Sequence, residues 1–134
     1  MSEVRVSNFA FGEVFKKRTK MFALRVIKLF KTLPNKADAQ ILGKQLLRAS
    51  TSVAANYRAA CRARSAAEFT AKIGIAVEEA DESLFWLEML EESQIVKADL
   101  LVSLKQEADE ITAILTKTRK SSQIKKTTPK PSNS

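Results

Sequence analysis

Apolar residues recur along this chain at helical spacing in four separate stretches. In the first, Phe15, Phe22, Val26, Leu29 and Leu33 step by seven, four, three and four residues, which aligns them on one face of a helix. Pro34-Asn35 ends that helix, because proline lacks the amide a helix needs. The second stretch runs from Asp38 or Ala39 to Ala63, with its stripe at Leu42, Leu46, Ala49, Val53, Asn56/Tyr57 and Ala60. Ser65-Ala66-Ala67-Glu68 then has the spacing of a capping box, in which the Ser65 hydroxyl takes the Glu68 amide and the Glu68 carboxylate reaches back to the Ser65 amide. A third helix follows, with Phe69, Ile73, Ala76, Ala80, Leu84 and Leu87 on one face and a break at Ser93-Gln94. The fourth carries Leu101, Leu104, Ala108, Ile111 and Leu115. Short connections make neighbouring helices antiparallel, so the pattern predicts an all-α, antiparallel up-down-up-down four-helix bundle over residues 1–120. From Ser121 onward the chain is Ser, Thr, Gln, Lys, Asn and Pro with Ile124 the only large apolar residue, and residues 121–134 read as a disordered basic tail.

Composition agrees with this outline. At 134 residues and 45% hydrophobic the chain is one globular domain with a tail, and three Gly and three Pro leave helix unopposed. Cys61 is the single cysteine, so no internal disulfide forms, which fits a reducing cytoplasm. The N-terminus lacks the apolar run of a signal peptide. The longest uncharged stretch, Ala49 to Tyr57, falls well short of the ~20 apolar residues that span a bilayer, and no membrane partner is expected.

The net charge of +8 conceals a sharp segregation. Residues 1–64 hold fourteen Lys and Arg against three acids, residues 65–116 hold three against twelve, and residues 117–134 hold six against none. One surface for an anionic partner, one acidic surface and a basic tail are implied.

Three constellations carry candidate function. The first is basic: Lys44, Arg48, Arg58 and Arg62 share an arc of the second helix, and Lys17, Lys20, Lys28 and Lys31 share one on the first, both away from the apolar stripes. Such groups neutralise phosphates without base-specific geometry; an ordinary solvated face, or pairing with the acidic third helix of a neighbouring subunit, is the alternative use. The second is an extra apolar face on the third helix, formed by Ile75, Phe85, Trp86 and Met89. A bundle helix needs only one stripe, so this face reads as a subunit interface, with Glu78, Glu79 and Glu82 beside it. The third is polar, Ser50, Ser52, Asn56 and Tyr57, where Asn56 sets helix register rather than doing chemistry.

Catalysis has little to stand on. The chain has no His, which removes the commonest general base and zinc ligand, and no phosphate-binding glycine motif. Arg58 and Arg62 lie near Cys61 in sequence and would lower its pKa, yet a small buried thiol is the favoured reading. No cofactor and no metal site are expected.

From Phe11 to Lys120 the sequence also resembles the four-helix-bundle proteins related to those encoded by intervening sequences in 23S ribosomal RNA genes, and the accessory variability determinant proteins of diversity-generating retroelements look like relatives. The resemblance rests on Leu46-Leu47-Arg48-Ala49, Ser52-Val53-Ala54-Ala55-Asn56-Tyr57, Arg62-Ala63-Arg64-Ser65, Glu68-Phe69 and the block Glu78 to Glu88. It implies a homopentamer and, from the retroelement relatives, a basic surface engaging nucleic acid and a reverse transcriptase. By matching position it adds Arg64 to Arg48, Arg58 and Arg62, and it transfers no catalytic motif. The combined expectation is a non-enzymatic, homo-oligomeric bundle that binds structured RNA or DNA through phosphate contacts. A protein-interaction scaffold without nucleic-acid binding is the alternative.

Overall fold

The computed structural model describes the backbone of residues 3–127 and the side chains of residues 9–124. Four helices make it up: α1 (Glu3–Phe30), α2 (Ala37–Cys61), α3 (Ala66–Glu92) and α4 (Ala98–Thr127), with no strand among the described residues. Each helix packs against its neighbours in the chain and α1 closes on α4, while the backbones of α1 and α3, and of α2 and α4, stay apart. The helices therefore stand at the corners of a square in chain order, and the α1–α4 seam is the thinnest of the four.

The core is built from the stripes the sequence predicts. Phe15, Phe22 and Val26 of α1, Leu46, Val53 and Tyr57 of α2, Ile73, Leu87 and Leu90 of α3 and Leu101, Ile111 and Leu115 of α4 join in one buried cluster. Each such side chain contributes about 1.5–3 kcal/mol by leaving water. Ala49, Ala76, Ala80 and Ala108 are fully buried and keep the helix axes close. The buried polar side chains Thr19, Ser50 and Ser83 are satisfied locally, each hydroxyl donating to a carbonyl on its own helix, that of Lys16, Leu47 and Glu79 respectively. Asn56 is half-buried and gives both its bonds to Ser52, one to the carbonyl and one to Oγ. It is bonded within α2 and makes no cross-helix hydrogen bond that would fix register.

Two boundaries depart from the sequence outline, and the expected break at Ser93-Gln94 is kept. Helix α1 stops at Phe30, and Leu33 reaches the core from the turn. It does so over Gly43, where a Cβ would lie 2.5 Å from Leu33 Cδ1 and 3.0 Å from the Phe30 ring, so a side chain there would push this turn off α2. Helix α4 runs on to Thr127 instead of giving way to a tail at Ser121. Its extra turns are tied down where Ser122 Oγ lies 2.6 Å from Thr70 Oγ1 of α3 and also donates to the Arg119 carbonyl. Residues 128–134 of the expected tail lie outside the described residues. The break at Ser93-Gln94 is a tight turn in which Gln94 has φ 63° and the amides of Ile95 and Val96 both reach the Leu90 carbonyl.

The start of α3 follows the capping-box spacing with one change. Ser65 Oγ accepts from the Glu68 amide at 3.1 Å, while Glu68 Oε2 accepts from the amide of Arg64, at 3.2 Å, rather than that of Ser65. Either amide serves the same physical need, an acceptor for an N–H left over at a helix start.

Candidate nucleic-acid interface

Where α2 ends and α3 begins, the chain concentrates positive charge. Arg58 and Arg62 stand one turn apart at the end of α2, Arg64 lies in the connection, and Lys72 comes from the second turn of α3. These four residues line one open groove of about 460 Å³ together with Ala55, Ala59 and Glu68. The two alanines leave room between the long basic side chains. Arg58, Arg62 and Arg64 are exposed, Lys72 is half-buried, and among the described residues none of the four forms an ion pair. Part of this concentration suits α2 itself, since cations in the last turn face the negative end of its dipole. The positive end of α3 opens onto the same corner, where Glu68 alone supplies negative charge. Lys72 has no place in the sequence outline: it is an isolated base in an acidic helix, and only the α2–α3 packing carries it to the arginines.

The other basic candidates lie outside this groove. Lys17, Lys20 and Lys28 are exposed on α1, Lys31 sits in the turn after it, and Lys44 is exposed on α2. Arg48 is held differently. Its Nη2 donates to Glu82 at 2.8 Å and its Nη1 to Glu79 at 3.1 Å, so its charge is matched within the protomer by two acids of α3. The hydrogen bond it donates to Glu82 is the main reason its pKa rises above the ordinary value. Glu82 in turn accepts from the Trp86 indole at 3.1 Å, and this bond, followed by that from Arg48, lowers its carboxyl pKa.

The second apolar face of α3 is open to solvent. Ile75, Phe85 and Met89 are 40%, 49% and 36% exposed, Trp86 is half-buried, and the Phe85 and Trp86 rings pack edge to face 4.9 Å apart. A second concavity of about 870 Å³ lies at the same end of the molecule as the basic groove and shares Arg62 with it. Its lining is largely aromatic and aliphatic, including Phe9, Phe11, Tyr57, Phe69 and Ile114.

Cys61 closes α2 on the rim of that second concavity and is exposed, contrary to the buried thiol expected. Its pKa is nonetheless raised: partial desolvation outweighs the Tyr57 hydroxyl and Lys16, and neither Arg58 nor Arg62 activates it. Burial likewise pushes the Tyr57 phenol up. No group of three or more His, Cys, Asp or Glu among the described residues could hold a metal ion. No described helix is long and apolar enough to cross a membrane.

The fold and this corner define a class: an all-α protein of four packed helices whose charged and apolar features lie on its outer surface. The chain belongs to the 23S rRNA-intervening sequence protein family, whose model matches residues 13–117. It is also similar to a crystallised protein of unknown function from the S23 ribosomal protein family of Bacteroides thetaiotaomicron, with 35% identity and a TM-score of 0.76 over 81% of this chain and 97% of that one. No curated protein matches the sequence.

Proposed function

We propose that this protein is a non-enzymatic, homo-oligomeric helical bundle of the cytoplasm that binds structured RNA or DNA through phosphate contacts. The observation that carries this reading is the α2–α3 corner, where Arg58, Arg62, Arg64 and Lys72 converge on one groove with Glu68 as the sole acid lining it. Guanidinium groups suit phosphate oxygens, and a groove without apolar base-stacking residues favours backbone over base recognition. Lys44 and the lysines of α1 extend the positive field around the corner. An antiparallel up-down-up-down course belongs to the same reading, supported by the contacts that pair Arg18 with Glu107, Arg25 with Ser103, and Thr70 with Ser122. So does the homopentamer that the family resemblance suggests, with Ile75, Phe85, Trp86 and Met89 as its contact. The test is fluorescence anisotropy of a labelled RNA hairpin and a DNA duplex with the wild type and with Arg58→Glu/Arg62→Glu. The variant is expected to lose binding while keeping its mass in light scattering. Unchanged binding removes the corner from the account.

A second reading is a protein-interaction scaffold, with a reverse transcriptase or another protein as partner. It draws on the exposed apolar face of α3 and on the larger apolar concavity. Apolar docking is weakly affected by salt and phosphate binding strongly, which separates the two.

A further inference from the structure

Two outer faces of this bundle are alike in length and apolar content and opposite in charge. On α1, Val14, Met21 and Leu24 are 67%, 56% and 49% exposed. At about 100° per residue they share one outward arc with Lys17, Lys20 and Lys28. From Val14 to Lys31 the chain carries no acid. On α3, the exposed Ile75, Phe85 and Met89 share an arc with the exposed Glu78 and with Glu82, which Arg48 already pairs, and from Ile73 to Glu92 the chain carries no base. Helices α1 and α3 stand at opposite corners of the square with their backbones apart, and the exposed residues of each lie opposite its buried stripe, so the two faces look away from each other on one protomer. Neither face can cover the other within a chain.

We infer that the α1 face of one copy docks on the α3 face of the next, forming a head-to-tail contact between copies. This rests on the reading of the α3 face as a subunit interface and names its partner surface. Charge decides between the arrangements. An α3–α3 contact would set Glu78, which has no ion pair among the described residues, against its own counterpart, and an α1–α1 contact would do the same with Lys17, Lys20 and Lys28; like charges brought together in an interface oppose the contact. Only α1 against α3 joins apolar centre to apolar centre with opposite signs at the rim. Such a heterologous contact closes into a ring or runs on as a filament, according to the rotation between copies. It takes up the α1 lysines and leaves the α2–α3 corner, beyond the N-terminal end of the α3 patch, uncovered for an anionic ligand. The nucleic-acid footprint then narrows to that corner.

The experiment uses two variants of the full chain, each with one face disabled. Met21→Asp/Leu24→Asp removes the α1 face, and Phe85→Asp/Met89→Asp removes the α3 face. All four positions are exposed, and circular dichroism checks that the helices are kept. By light scattering each variant alone is expected to fall to the 14.9 kDa monomer, and the two mixed are expected to form a 1:1 dimer, because each supplies the face the other lacks. Lys17→Glu/Lys28→Glu, a second way to disable α1, is expected to behave as the first. If the α1 variants keep the wild-type mass while the α3 variant dissociates, the α3 interface stands and the pairing with α1 is wrong. Monomeric variants that do not combine also overturn the pairing. A monomeric wild type overturns both the pairing and the oligomer reading on which it rests.

Discussion

The thinnest seam of the bundle carries the Arg18–Glu107 ion pair, beside Arg18–Glu110 at 3.5 Å and Arg25–Ser103 at 2.6 Å, and breaking the first has a calculable cost. Arg18 of α1 donates from Nε to Glu107 Oε2 at 2.9 Å and from Nη2 to Glu107 Oε1 at 2.7 Å, a two-bond clasp across the α1–α4 contact. The side chains are 33% and 18% exposed, so the pair is neither a surface bridge nor a core one. Exposed pairs contribute about 0.2–1 kcal/mol and loss of one partner of a buried pair costs about 3–5 kcal/mol. A half-buried clasp with two aligned bonds falls between, at about 1–2 kcal/mol of coupling. The measurement is a double-mutant cycle with Arg18→Ala, Glu107→Ala and the pair together, followed by far-UV circular dichroism on heating and in urea at fixed protein concentration. The single variants should lower Tm by about 3–10 °C. Hydrogen bonds from Arg18 hold the Glu107 carboxyl below its ordinary pKa. The folded chain therefore binds fewer protons at this site than the unfolded one. The contribution of the pair is complete above the ordinary carboxylate pKa of about 4.3 and is lost as pH falls through the lower folded value. Coupling under about 0.3 kcal/mol, or an acid transition identical in Glu107→Ala and wild type, would refute this account of the seam.

Further outcomes follow from single positions. Leu87→Ala opens a cavity in a fully buried part of α3 and should cost about 2–5 kcal/mol in urea unfolding. Gln94→Gly relieves a left-handed residue and should stabilise the chain by up to about 1 kcal/mol, seen as a higher Tm. Arg62→Ala should lower the slope of log K against log salt by about one and weaken all nucleic-acid sequences alike, whereas Arg48→Ala, whose charge Glu79 and Glu82 already match, should leave that slope nearly unchanged.

The stripes were legible in the sequence because burial is what sets their period: every α4 position from Leu101 to Leu115 predicted to face inward does so. The ends were less legible, because they depend on contacts far apart in the chain. Nothing in Ser121-Ser122-Gln123 announces that Thr70, about fifty residues earlier, will hold that turn. Leu33 was placed on the right face of the wrong element, since a turn over Gly43 can present a side chain to the core as a helix does. The same limit applied to the candidate site. Periodicity grouped Arg48 with Arg58 and Arg62 on one face of α2, yet packing against α3 gives Arg48 two acids and gives Arg58 and Arg62 none. Lys72 was invisible for the converse reason, as its neighbours in space come from another helix. The exposed face at Ile75, Phe85 and Met89 was readable, because apolar residues on two sides of one helix leave a surplus whatever the packing.

The most direct test of the central claim is the salt dependence of nucleic-acid binding by the wild type, followed by anisotropy of labelled duplex DNA and structured RNA. If three or four cations of the α2–α3 corner each neutralise a phosphate, log K should fall against log salt with a slope of about −2.7 to −3.6 on duplex DNA. That is a loss of roughly 40- to 150-fold between ~50 and ~200 mM salt. No binding at the lowest salt, or binding that ignores salt, would contradict the account and leave the bundle as a protein scaffold.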